Sequence, residues 1–437
     1  MTARPHDRSS RYPASEARTV LVLALGFGLV GIDRFMIVTL FPVIAKELAL
    51  GYGAIGLITG ALSIAWGSAA LFMGNVSDRI GRRPVLIGSL LVFSSLVGAS
   101  GLATGLFSLI AVRIVMGLAD GAFMPASIAA TLAVSAEKRR GLNIGLQQMT
   151  GSLFGLGLAP LIVSMLIGVI NWRWIFALFV LPGFFVAGLV ASAIPRAEKG
   201  KTPVEVKPRD GLADYIAVVR SRNIRVLMAL MLAWLTCLVS ISAFLPSYLI
   251  DHLKLSFGQM GQVMSAIGFG GAFGTVLLLW MSDKFGRKLI MLLAAMVALV
   301  AIWLLSRCGA DVPSCFACLF VAMGCITALL TLTVGPMCDR SVPPELAATA
   351  SGVVIATGEL FGGGFAPVIV GWVAQRFGIE HVLWTPLVAL IFAVGIGTLF
   401  KEERLISPEQ RPSSRKTGTR SGRSAADARN DRRPDQG

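Results

Sequence analysis

A chain of 437 residues that is 55% hydrophobic and only 14% charged departs from soluble domains, in which about a quarter of the residues are charged. The composition excludes an ordinary water-soluble globule and points to the lipid bilayer. A formal net charge of +15 would suit a nucleic-acid binder, but the basic residues fall in the connections between apolar runs, so no nucleic-acid partner is expected.

Apolar runs of about twenty residues recur along the sequence, each able to cross the ~30 Å hydrocarbon core as a helix rising ~1.5 Å per residue. Backbone groups in lipid must pair internally, and the short alternating strands of a transmembrane barrel are missing. An all-α membrane protein is therefore predicted, with twelve transmembrane helices over residues 19–45, 54–76, 84–104, 106–134, 141–169, 173–194, 224–250, 258–282, 288–306, 312–338, 345–374 and 382–401. The first span follows Arg4, Arg8, Arg11 and Arg18 and contains Asp33 and Arg34. It lacks the clean apolar centre of a signal peptide and should stay in the mature protein.

These spans divide the chain into a cytoplasmic segment 1–18, an N-terminal six-helix bundle 19–194, a linker 195–223, a C-terminal six-helix bundle 224–401 and a tail 402–437. The linker is rich in Lys, Arg and Pro, and Leu212 to Val219 has the pattern of a short amphipathic helix on the membrane surface. The tail is polar and basic without apolar periodicity, the composition of a disordered segment, either solvated or drawn to anionic headgroups.

Lys and Arg gather on one side of the membrane: Arg79, Arg82, Arg83, Lys138, Arg139, Arg140, Lys284, Arg287 and Lys288, with the linker and the tail. The other side keeps Lys46, Arg173, Lys254, Arg307 and Arg376. By the positive-inside rule both termini are cytoplasmic. Of the six cysteines, Cys315 and Cys318 have C-x-x-C spacing, but no second pair or nearby His completes a metal site, and no metal is expected. A disulfide between Cys308 and Cys315 in the outer loop is open but not expected.

The chain repeats internally. Leu40-Phe41-Pro42 leads to Asp78-Arg79-Ile80-Gly81-Arg82-Arg83, and Phe244-Leu245-Pro246 leads to Asp283-Lys284-Phe285-Gly286-Arg287-Lys288 at nearly the same interval. Ala159-Pro160 likewise recurs as Ala366-Pro367. Two related halves of six helices account for the pattern, and transporters built from repeats hold their substrate between the halves near the bilayer midplane. The run from Gly74 to Arg83, placed in the loop after the second span, resembles the signature loop of the major facilitator superfamily, and Asp283, Gly286 and Arg287 resemble its second copy. The resemblance implies the major facilitator fold, with Gly74, Asp78, Arg79, Gly81, Arg82 and Arg83 in gating and folding. Glycine permits the turn, and Asp78 beside cations can latch helices together. A positive-inside turn with no conformational role is the alternative.

Ionisable residues inside the spans are costly and rarely persist without a partner or a purpose. They are Asp33 and Arg34 in the first span, Arg113 and Asp120 in the fourth, and Glu359 in the eleventh. Asp33 lies about 13 steps, ~20 Å, from the inner end of its span, and Arg113 about 7 steps, ~10 Å, from the outer end of its antiparallel neighbour. In a ~30 Å core the two share a height. Arg113 and Asp120 share a helix face, with Gly117 and Gly121 beside them to admit a close neighbour, read as the first span. An Arg fork suits a carboxylate, and a buried carboxylate competing for the same Arg can take a proton when its partner leaves. The structural alternative pairs Asp33 with Arg113, or Arg34 with Asp120, away from substrate.

Asp33-Arg34 together with Arg113 and an acid seven residues later resembles the anion:cation symporter family, which includes proton-coupled permeases for sugar acids. The resemblance implies that Asp33 and Asp120 serve proton coupling and that Arg34 links them to substrate. Sugar-acid members of that family carry Glu at the position of Asp120, Tyr at Gly31 and Gln near Gly151, so a less hydroxylated carboxylate is equally open. Glu359, in the run Gly358-Glu359-Leu360-Phe361-Gly362-Gly363-Gly364, is a second proton site, a cation contact for the substrate, or a structurally paired residue near the cytoplasmic mouth. Asn143, Gln147, Gln148, Trp234 and Ser242 read as ordinary packing before cavity lining. Pro160 and Pro367 remove a backbone bond each and can kink their helices.

The sequence therefore predicts a secondary transporter of the bacterial inner membrane, acting as a monomer and importing a small organic anion with protons. Arg34 and Arg113 hold the anion, and Asp33, Asp120 and Glu359 exchange protons. No nucleotide-binding loop, cofactor site or catalytic constellation appears, so an ion gradient drives transport and the chain is not an enzyme. Two competitors remain: a proton antiporter exporting drugs or metabolites, loosely echoed by Gly151, Gly155, Gly157 and Pro160, and a membrane sensor that no longer transports.

Overall fold

The computed structural model describes residues 14–194, 212–343 and 346–401, without the side chains of residues 71, 72, 74, 75, 78, 79, 212–214 and 348. Twelve helices long and apolar enough to cross a membrane run in sequence: α1 Ala14–Glu47, α2 Tyr52–Ile80, α3 Arg82–Ser100, α4 Leu106–Val134, α5 Glu137–Leu166, α6 Trp172–Ala193, α7 Arg222–His252, α8 Phe257–Phe285, α9 Arg287–Leu305, α10 Val312–Met337, α11 Thr349–Phe377 and α12 Ile379–Thr398. The all-α expectation and the span order hold. A short linker helix occupies Leu212–Arg220. Twelve crossings bring the start of α1 and the end of α12 to one face, the termini face, opposite a far face. The expected disordered tail and most of the linker lie outside the described residues.

α1 and α7 are the most buried spans and α6 and α12 the least. Leu181 and Phe185 on α6, and Ile391 and Phe392 on α12, present their side chains outward, as an apolar solvent allows. Helix contact in lipid relies on small residues that bring backbones together, and the sequence supplies them in symmetric places. A Cβ on Gly56 of α2 would lie 2.2 Å from the Pro367 carbonyl of α11, and a Cβ on Gly261 of α8 would lie 2.8 Å from the Pro160 carbonyl of α5. The same contact, glycine against the proline turn of the other half, thus occurs twice and ties the two halves together toward the far face. Farther toward the termini face a Cβ on Gly145 of α5 or Gly352 of α11 meets nothing within 4 Å.

The prolines do more than kink. Leu153–Leu158 in α5 and Gly358–Phe365 in α11 are wound as π-helix, each ending just before its Ala-Pro pair. Proline lacks the N–H that would close the preceding turn, and the wider winding absorbs the loss. Two further π segments, Tyr248–His252 after Pro246 and Thr333–Met337 around Pro336, have the same neighbour.

The signature run departs from the expected loop. α2 continues through Gly74, Asp78 and Arg79 to Ile80, and the chain reverses at a single residue, Gly81, with φ 100° and ψ 144°. Gly286 repeats the conformation with φ 98° and ψ 140°. Such dihedrals are accessible to glycine and strain other residues by about 1–3 kcal/mol. The basic residues after each turn reach carbonyls at the ends of other helices. Arg82 donates to Ala129 O of α4 at 2.9 Å and Arg83 to Ala191 O of α6 at 2.6 Å. In the second half Arg287 donates to Pro336 O of α10 and Lys288 to Thr398 O of α12 at 2.8 Å. Each motif copy thereby supplies cations to backbone carbonyls toward the negative dipole ends of helices in its own half. Asp283 accepts from Arg287 at 3.3 Å; the latch expected of the Asp78 and Arg79 side chains lies outside the described residues.

Gly81→Ala and Gly286→Ala are each expected to destabilise the protein by about 1–3 kcal/mol, seen as a lower melting temperature in detergent. Gly88→Ala in α3, where a Cβ meets nothing within 4 Å, should be neutral or stabilising by up to about 1 kcal/mol.

Candidate functional site

Three helices, α1, α4 and α11, carry the intramembrane charges and bring them together. Arg113 of α4 donates through Nη1 to the backbone carbonyl of Asp33 on α1 at 2.9 Å, so the two residues do share a height. Asp33, Arg113 and Asp120 are all buried, and their charges act on one another, with Arg34 also acting on Asp120. Among the described residues, neither oxygen of Asp120 and neither Nε nor Nη2 of Arg113 has a hydrogen-bond partner.

Arg34 reaches across the molecule. Its Nη2 meets Glu359 Oε2 at 3.0 Å and Ser63 Oγ of α2 at 3.2 Å. Its guanidinium lies 5.5 Å from the Trp66 ring and 5.7 Å from the Phe35 ring, within cation–π range. The pairings of Arg34 with Asp120, and of Asp33 with Arg113 through side chains, are not among the described ion pairs. Arg34 instead joins the first half to the second through Glu359. Glu359 is 6% exposed and sits with α11's π segment against the middle of α2, since Gly67 of α2 lies beside Glu359 Cβ. It belongs to the charge cluster and not to a mouth.

A cavity of about 20 Å³ opens beside these groups, lined by Arg34, Arg113, Thr59, Ser63 and Ser242 together with apolar Val38, Ile58 and Leu62. That volume holds a water and no organic solute. Far-face contacts seal one side: Tyr52 donates to Asp251 Oδ2 of α7 at 3.1 Å, and Gly53 N donates to Gln375 Oε1 of α11 at 3.3 Å.

Gly117 and Gly121 do not admit α1. They face the Leu62 and Trp66 carbonyls of α2 at 2.5 Å from an added Cβ, which packs α2 against α4 and holds Ser63 and Trp66 beside Arg34. α1 is approached instead by α5: a Cβ on Gly31 would lie 2.2 Å from Gly151 O, and one on Gly155 2.4 Å from Gly31 O. Gly31 thus meets the Gly151 backbone, and a Cβ on Gly151 would lie 2.7 Å from the Phe27 ring, so the space that larger side chains at these two positions would need is already filled.

The other polar candidates separate cleanly. Ser242 lines the cavity. Asn143 donates to Glu16 and Ser135, Gln147 bonds Thr131 and Ser127, and Trp234 donates to Thr333, so these three brace the bundles, while Gln148 is half-buried. Ser63 and Trp66 are site residues that the sequence reading passed over; their spacing of three along α2 puts them on one face. A longer repeat also carried a signal. Thr150-Gly151-Ser152-Leu153-Phe154-Gly155 matches Thr357-Gly358-Glu359-Leu360-Phe361-Gly362, and Glu359 is the charged residue where the first half has Ser152.

Removing one partner of a buried ion pair leaves the other uncompensated at about 3–5 kcal/mol, whereas replacing both with apolar groups is near neutral. Arg34→Met and Glu359→Met should therefore each lower the melting temperature in detergent, and the double variant should recover most of the loss.

Most of the chain has recognisable relatives. The family model described as Major Facilitator Superfamily matches residues 23–362. The chain is 26% identical over 393 residues to the sialic acid transporter NanX of Escherichia coli (strain K12), covering 86% of this chain and 94% of that protein. It is 24% identical over 390 residues to a gentisate transporter of Corynebacterium glutamicum, covering 86% of each. Its fold resembles the crystal structure of a bacterial homolog to the human lysosomal transporter Spinster, with a TM-score of 0.76 at 17% identity over 89% of this chain and 97% of the other.

Proposed function

The chain belongs to the Major Facilitator Superfamily and is a multi-pass membrane transporter, not an enzyme, and from that premise we propose that it imports a small organic anion together with protons, as a monomer in a bacterial inner membrane. The excess of Lys and Arg in the termini-face loops supports cytoplasmic termini. The far face is then external.

The observation that carries the reading is the Arg34–Glu359 pair at 3.0 Å, set where the two halves meet. A substrate carboxylate has the same claim on the Arg34 fork as Glu359, and one guanidinium edge cannot serve both. The incoming anion displaces Glu359, which is left without a counter-charge in a dry site. Taking up a proton relieves that cost. The sum of charges points the same way: two guanidiniums, Arg34 and Arg113, face three carboxylates, Asp33, Asp120 and Glu359. An added anion increases the negative excess unless protons accompany it. Asp120, with neither oxygen paired, and Asp33 are the further proton carriers, and Arg113, with Nε and Nη2 unpaired, is the second anchor for the anion.

The rest of the cavity sets the character of the anion. Trp66 and Phe35 flank Arg34, and the wall is largely apolar. A carboxylate with a compact, lightly hydroxylated body fits this lining. Transport of sialic acid and of gentisate by relatives supports the carboxylate, and gentisate supports the compact body. Export of cationic drugs finds no support in a site with two arginines at its centre.

Purified protein in proteoliposomes should accumulate one member of a panel of labelled carboxylates when the proton gradient is directed inward. Arg34→Ala should abolish both accumulation and exchange. Glu359→Gln should lose gradient-driven accumulation at least tenfold while still exchanging labelled for unlabelled substrate. Outward movement of cationic or neutral compounds with no carboxylate uptake would sink the proposal.

A further inference from the structure

The far end of the second half holds chemistry that the transport site does not use. All six cysteines are free thiols; Cys237, Cys315, Cys325 and Cys338 are buried, whereas Cys308 and Cys318 are half-buried. Cys308 follows the end of α9, and Cys318 lies in the second turn of α10. Their sulfurs are 4.0 Å apart, in van der Waals contact. The turn between them is fixed at both ends. Cys308 N bonds Leu304 O at 3.0 Å, and Asp311 caps α10 by accepting from Ser314 N at 3.1 Å. The two thiols are thus held together by the fold. Cys315, the other candidate partner, is fully buried; its thiol meets Gly309 O at 3.5 Å and also the Cys308 thiol, so the experiment must separate the two pairings.

We propose that Cys308 and Cys318 are a dithiol site oxidised to a disulfide by exchange with a disulfide donor on the far side of the membrane. One cysteine, as thiolate, attacks the donor's S–S bond and releases a donor thiol. The other then attacks the mixed disulfide and releases the second donor thiol. Two thiol protons leave Cys308 and Cys318, two electrons pass to the donor, and one S–S bond replaces another. The donor requires an oxidising compartment, so this inference rests on the orientation proposed above. The bond staples the α9–α10 turn. The cavity is lined from α1, α2, α4 and α7, so the staple leaves the charge cluster untouched.

Protein taken from untreated cells and denatured in the presence of a first alkylating reagent, then reduced and treated with a second, should carry the second label on two thiols. Cys308→Ser and Cys318→Ser should each lose both second labels, Cys315→Ala should keep them, and none of the three should change transport. Two protected thiols that survive in Cys318→Ser but vanish in Cys315→Ala would overturn the pairing. So would protein whose six thiols all take the first label even after a disulfide donor is added to the purified transporter. A membrane-impermeant maleimide applied to reduced, intact spheroplasts should label Cys308. If it does not, while donor-driven pairing in purified protein persists, the orientation fails and the pairing stands.

Discussion

The contact between Arg34 and Glu359 is the constraint around which the rest of the molecule is arranged. It joins the two halves at mid-depth, in a medium where an unpaired charge is costly. The small-residue contacts serve it. Gly31 against Gly151 and Gly155 brings α5 onto α1, and Gly117 and Gly121 bring α2 onto α4. Ser63 and Trp66 are thereby placed beside the guanidinium. The π segments before Pro160 and Pro367 lie on the same helices that carry these contacts, and the segment in α11 contains Glu359 itself. A helix with a locally wider turn has fewer fixed backbone bonds to break when its charged residue changes partner.

The two halves are related in sequence and contact but not in charge. The glycine–proline approach occurs in both, as does the Gly81 or Gly286 turn followed by basic residues that reach the ends of neighbouring helices. The ionisable residues break this symmetry. The first half supplies both arginines and both aspartates, and the second supplies Glu359 alone. A site assembled from both halves, with opposite charges facing across the seam, changes its electrostatic balance when the halves move relative to each other. In the proposed function, that is how a rocking motion is coupled to the proton gradient.

Much of the fold was legible in the sequence because hydropathy and helix length report directly on lipid. Hydropathy was blind to where helices end in water: α2 runs on through Gly74 and Asp78 because nothing stops it until Gly81 must adopt a positive φ. Depth arithmetic placed Asp33 beside Arg113, since antiparallel helices share a ruler. It could not reveal that Gly117 and Gly121 face α2 and not α1, because α4 touches both helices and residue spacing alone does not choose between them. The partner of Arg34 was hidden for a related reason. Asp120 and Glu359 are both carboxylates at a suitable height, and only the seam between the halves decides which one Arg34 meets. The repeat around Ser152 and Glu359 held a hint, since a charge that departs from internal symmetry is a charge with a local partner.

The central claim is that substrate and Glu359 compete for Arg34 and that the released carboxylate takes a proton. Its most direct test is calorimetric titration of the transported carboxylate into purified protein in buffers of differing ionisation enthalpy, which counts protons taken up per anion bound. The account predicts net proton uptake on binding to the wild type and a loss of about one proton from that count in Glu359→Gln. Equal proton uptake by the two proteins, with anion affinity preserved, would contradict it.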